Sequence, residues 1–87
     1  MDTEDKKIAI GLFHNHYGAL LFKRRMGSCC RLRSVPRSLS SSCGTCAELE
    51  YSGSEAEMIE AIRNAADENA DSFYVEENGI YRKIYEF

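Results

Sequence analysis

The pattern of apolar and polar positions changes period along the chain, and each change predicts an element. Ile8 to Phe13 (IAIGLF) is a short run without a polar residue, as in a strand covered on both faces. Asn15 then offers an N-cap, and Tyr17, Leu20, Leu21 and Arg24 recur at helical spacing until Gly27 ends the helix. CCRLRSV alternates, Cys30 and Leu32 on one face and Arg31 and Arg33 on the other, so a half-buried strand is expected up to Pro36.

Arg37 to Gly44 is polar and irregular. Cys46 to Tyr51 (CAELEY) alternates again and reads as a third strand. Ser54-Glu55-Ala56-Glu57 is a capping box opening a second helix, whose apolar face reads Met58, Ile59, Ile62, Ala65, Ala66 and Ala70. SFYVEE and IYRKIYEF are two more strand-like runs, joined by Asn78-Gly79, a hairpin signal.

The order is β-α-β-β-α-β with one extra C-terminal strand. This predicts an α+β fold: a two-layer sandwich, ferredoxin-like in topology, with an extra C-terminal hairpin strand. Residues 1–87 are expected to form one domain, with residues 1–6 as a disordered polar tail. The extra strand could pair within one chain or across a dimer, so the oligomeric state stays open.

The topology places the loops. The first helix begins where the first strand ends, and the second strand returns to that same end. The turn His14-Asn15-His16 and the Arg37–Gly44 loop should therefore share one end of the sheet. Strands one and three are neighbours in this arrangement, so Cys43 is expected near the start of the first helix. Hairpin loops usually take about 2–5 residues, and this one is longer than a hairpin needs.

Composition adds boundaries. With 87 residues, 44% hydrophobic and 29% charged, the chain is the size of one small globular unit. No apolar run reaches transmembrane length, and MDTEDKK is polar with no apolar stretch behind it, so neither a membrane span nor a signal peptide is expected. A cytoplasmic, reducing setting follows, in which the four cysteines are thiols. Charge is unevenly spread. Lys23 to Cys46 holds six basic residues and no acid, whereas Ala47 to the end holds eleven acids and three bases. A basic segment this short, without an RNA-binding motif, reads as a solvated face or an attractor of a small anion or acidic partner rather than as a nucleic-acid footprint.

Candidate chemistry centres on SSSCGTC, Ser40 to Cys46. Cys43 and Cys46 have the spacing of a dithiol couple, but such couples open a helix. Here the motif leads into a strand, where residues three apart point to opposite faces. A zinc site would need Cys29, Cys30, His14 or His16 as further ligands, and adjacent cysteines in a strand also point apart. No metal or cofactor is expected. Cys30 beside Leu32 reads as a small core residue. Cys29 reads as its unremarkable neighbour, and His14 and His16 as turn residues. Phe73, Tyr74, Tyr81, Tyr85 and Phe87 read as sheet packing.

Cys43 remains as a single activated thiol, with Cys46 a possible secondary one. A thiol of pKa about 8.5 is roughly 3% thiolate at pH 7, and one unit of depression makes it about a quarter. Arg37 and a helix N-terminus capped by Asn15 could supply that shift. Ser40, Ser41 and Ser42 add hydroxyls for a sulfur anion, and Gly44 would allow close approach or positive φ. Nothing supports a hydrolase.

The stretch VPRSLSSSCG, Val35 to Gly44, resembles the signature of a family of small bacterial and archaeal selenium/sulfur carrier-like proteins. The family's Cys-Gly falls on Cys43 and Gly44 and its Pro-Arg on Pro36 and Arg37. The resemblance extends loosely to the first strand, the helix with Ala19-Leu20 and the strand leading to Pro36. It departs at the turn after the first strand, here His14-Asn15-His16, which is usually rich in Ser and Thr. The resemblance implies a carrier rather than a stand-alone enzyme. Cys43 would accept sulfane sulfur or selenium from a donor such as a cysteine desulfurase and pass it to an acceptor enzyme. The alternatives are a protein-interaction module that docks an acidic partner, and a redox or zinc domain using Cys43 with Cys46.

Overall fold

The structure, a computed structural model, describes residues 7–39 and 44–87. The expected tail, residues 1–6, and Ser40, Ser41, Ser42 and Cys43 lie outside the described residues. The elements are β1 (Lys7–Phe13), α1 (His16–Met26), a single 3-10 turn (Gly27–Cys29), β2 (Cys30–Ser34), β3 (Thr45–Tyr51), α2 (Glu55–Ala65), β4 (Ala70–Glu77) and β5 (Ile80–Glu86). The five strands form one antiparallel sheet in the order β2-β3-β1-β4-β5. The fold is α+β. The extra strand β5 pairs with β4 of the same chain, from Ser72↔Glu86 to Glu77↔Ile80. No helix among the described residues is long and apolar enough to cross a membrane.

Both helices cover one face of the sheet. Ala19 and Phe22 of α1 and Met58, Ile62 and Ala65 of α2 join Ala9, Phe13, Ala47, Leu49, Phe73 and Val75 in the main core. Its centre is a ring cluster. Phe13, Phe22 and Phe73 lie 5.3–5.8 Å apart between centroids, in tilted and edge-on contacts that aromatic pairs prefer. Gly11 makes room for it, because a Cβ there would stand 2.3 Å from the Phe73 ring. Glycine in a strand interior is here a packing requirement.

Local signals explain the ends of the elements. The Asn15 side chain caps α1 by accepting from Gly18 N at 2.8 Å, and Gly27 closes it at φ 80°. Ser54 caps α2 by accepting from Glu57 N at 3.1 Å. Asn78 and Gly79, at φ 54° and 81°, make the two-residue turn whose twist suits a β4–β5 hairpin.

Two expectations need correction. The buried side of α1 is Gly18, Ala19 and Phe22, with Met26 half-buried, while Tyr17 is 61% exposed. Gly18 decides this rotation, since its Cα packs where a Cβ would stand 2.5 Å from Asn69. Ala70 is not on α2. The helix ends at Ala65, and Ala70 opens β4, buried in the same core.

The other face of the sheet is covered too, which explains why β1 carries no polar residue after Lys7. Ile10, Leu12 and Cys46 are fully buried there beneath Ile8, Val35, Leu39, Tyr74 and Tyr81. Beside them Glu48 is 94% buried, not solvated as an alternating strand implies. Arg31 and Arg33 of β2 each reach one of its carboxylate oxygens at 3.0 Å. A buried charge needs such partners.

Candidate functional site

Three chain segments meet at the end of the sheet where β1 stops. Phe13 leads into the turn and α1, β3 begins at Thr45, and Asn69 precedes β4. His14 N donates to Asn69 O at 2.8 Å, and Asn15 Nδ2 donates to Asn69 Oδ1 at 3.0 Å. Asn69 is itself held by a bond from its N–H to Asp67 Oδ1 at 2.9 Å. Across from this cluster, His16 Nδ1 lies 3.2 Å from Thr45 Oγ1, a hydrogen bond in either tautomer. The first turn of α1 is thereby fastened to the first residue of β3.

The β2–β3 loop opens from the same end. Its base is closed by Val35 N donating to Gly44 O at 3.2 Å, one step beyond the Ser34↔Thr45 pair. Leu39 N then donates to Pro36 O at 3.0 Å, which curls Pro36–Leu39 into a turn and lets Leu39 rest on the Ile10, Leu12 and Cys46 cluster. Arg37 stands exposed in that turn. Gly44 is exposed, and among the described residues a Cβ there would meet nothing within 4 Å. Asn15 is engaged at both ends of its amide, by Gly18 N and by Asn69.

The described thiols fall into different environments. Cys29 is exposed at the end of the 3-10 turn, its Sγ donating to Met26 O at 3.4 Å. Cys30 is buried in the main core, as expected, and burial, reinforced by Cys29, pushes its thiol up to about 11. Cys46 is fully buried on the opposite face, with Sγ donating to Ser34 O at 3.6 Å. Among the described residues no three His, Cys, Asp or Glu side chains gather as metal ligands do.

Three relationships escaped the sequence reading: His16 with Thr45, Asn15 with Asn69, and Glu48 between two arginines. The last was within reach. In a hairpin the paired positions add to a constant, so a closing pair Val35–Gly44 puts Arg31 opposite Glu48. The other two join segments far apart in sequence and carry no local signal.

Fold and site together describe a small α+β protein in which the base of the β2–β3 loop, Val35 with Gly44, and Thr45 lie at the end of the sheet where its first helix starts. The chain belongs to the family described as putative Se/S carrier protein-like, which it matches over residues 9–86. No curated protein and no solved structure matches it.

Proposed function

We propose that this protein carries sulfur or selenium on Cys43, as a single ferredoxin-like domain with the split β-α-β connection. The observation that carries the reading is family membership over nearly the whole chain, in a chain whose Cys43 directly precedes Gly44 and the His16-bonded Thr45. Cys43 is two residues from Thr45 in sequence, and the Thr45 side chain bonds the first turn of α1. Free N–H groups at a helix start favour an anion, and a thiolate is the nucleophile the reaction needs.

In loading, the Cys43 thiolate attacks the terminal sulfur of a donor persulfide, Cys–S–SH, as a cysteine desulfurase carries. A new S–S bond forms on Cys43 while the donor's S–S bond breaks, and the donor leaves as a thiolate. No net oxidation occurs, and the proton stays with the transferred sulfur or passes to the departing thiolate. Selenium follows the same steps as a perselenide. Arg37, Ser40, Ser41 and Ser42 are the groups proposed to hold the terminal anion. The carrier then needs only a donor and an acceptor enzyme. A paired role for Cys46 finds little support, because its thiol is buried under Val35 and Leu39 on the face away from the helices.

Intact mass spectrometry tests this reading. Incubation with a cysteine desulfurase and cysteine should add one sulfur atom, removable by reductant. Cys43→Ser should abolish the adduct and Cys46→Ser should retain it. Loading that survives Cys43→Ser would overturn the assignment.

A further inference from the structure

β2 lies at an edge of the sheet. It pairs with β3 on one side, and among the described residues no strand flanks the other. Its faces differ in chemistry. Arg31 and Arg33 stand two residues apart on the outer face, sharing a single buried carboxylate, Glu48. The Arg31 side chain keeps 73% of its surface in solvent. Arg37 is exposed just beyond the strand's end. On the helix side Leu32 is half-buried against the main core. The edge is thus basic on one face and apolar on the other.

Such an edge resists a second copy of itself. Antiparallel self-pairing centred on Leu32 would set Arg31 of one copy opposite Arg33 of the other, twice, and like charges directly opposite are destabilising. An acidic strand meets the reverse situation, because β2 itself carries Arg31 and Arg33 and no acid, and both side chains keep solvent-exposed surface beside Glu48 and Glu50 of β3. We propose that the free edge of β2 accepts an extended segment of a partner protein in which acidic residues alternate with small apolar ones. The carboxylates lie against Arg31 and Arg33, and the apolar side chains lie beside Leu32. Main-chain hydrogen bonds supply affinity in such strand addition, and alternate side chains supply specificity. The inference stands independently of any atom carried on Cys43.

The test uses the isotope-labelled full chain titrated with a capped peptide of alternating Glu and Val, followed through its amide chemical shifts. Shifts should centre on Cys30–Ser34, saturate, and fade at high salt. A Lys–Val peptide and an all-Glu peptide, the controls for charge sign and for alternation, should bind at least about fivefold more weakly. N-methylation of alternate peptide residues should abolish binding for one set and spare it for the other, since a strand's N–H groups alternate between its edges. Arg31→Gln, which leaves Arg33 on Glu48, should weaken binding about two- to fivefold in a protein that still folds. Indifference to both N-methylations, equal binding of the Lys peptide, shifts remote from β2, or self-association through β2 would each overturn the proposal.

Discussion

His16 Nδ1 lies 3.2 Å from Thr45 Oγ1, and this bond joins the first helix to the first residue of the third strand across 29 positions of sequence. Neutral hydrogen bonds contribute about 0.5–1.5 kcal/mol net, so His16→Ala and Thr45→Val should each cost about that much. The double variant should cost less than the sum, with a coupling of about 0.5–1 kcal/mol in urea unfolding. Because the bond anchors the flank of Cys43, His16→Ala should also slow alkylation of Cys43 and leave Cys29 unchanged. Additive single costs would show that the two side chains act separately.

The thiols should sort by place. Under native conditions iodoacetamide should label Cys29 and Cys43 and spare the buried Cys30 and Cys46, whereas in urea all four should react; peptide mapping reads the order. Fast native labelling at Cys46 would show that the outer-face cluster opens.

Cys30 also predicts an alkaline limb of stability. Its thiol is pushed up to about 11, chiefly by burial, with Lys23 opposing. The folded protein therefore keeps a proton that the unfolded chain surrenders. Stability from this source is complete below about pH 9 and is lost as pH rises through about 11. Melting curves across that window should fall less steeply for Cys30→Ala than for the parent.

The Glu48 cluster should be asymmetric towards mutation. Its carboxylate is 7% exposed, whereas the arginine side chains are 73% and 39% exposed. Removing Arg31 and Arg33 together strands a buried charge and should cost about 3–5 kcal/mol. Glu48→Gln leaves two cations that water can reach and should cost about 1–2 kcal/mol. Adding Glu48→Leu to the double arginine variant should restore most of the loss. Urea midpoints compare all three.

Gly11→Ala should destabilise by about 1–3 kcal/mol, the usual cost of overpacking a core, because the new Cβ meets the Phe73 ring at 2.3 Å. Phe73→Leu in the same chain should recover part of it. Thermal unfolding of the single and double variants decides.

What was legible in the sequence was what depends on near neighbours. Asn15, Gly27, Ser54 and Asn78-Gly79 mark their caps and turn by residue type alone, and the structure uses each as read. The alternation of Cys30 and Leu32 against Arg31 and Arg33 also held. The burying face of α1 did not follow from spacing, because Tyr17 counts as apolar in a pattern while Gly18, which counts for little, is the residue that lets Asn69 approach. Glu48 drew no notice, because alternation in CAELEY says only that a face is polar. Nothing local reveals that Val35, Leu39, Tyr74 and Tyr81 roof the centre of that face. The meeting of the His14–His16 turn with the base of the β2–β3 loop at one end of the sheet was legible from topology. Its hydrogen bonds were not, since Asn69 and Thr45 reach it from distant parts of the chain.

The central position of β1 has a consequence for biosynthesis. Ile10 sits between Glu48 on β3 and Tyr74 on β4, so the most apolar strand is made before both of its neighbours and waits longest for β4. Until then IAIGLF has a bare edge, little charge and no proline, the composition that favours intermolecular stacking. Lys6 and Lys7 before it and His14 after it are the only charged or ionisable residues at its borders. A nascent chain stalled between Phe13 and Tyr74 therefore exposes the stretch best suited to aggregation, and the arrival of β4 is what closes its second edge.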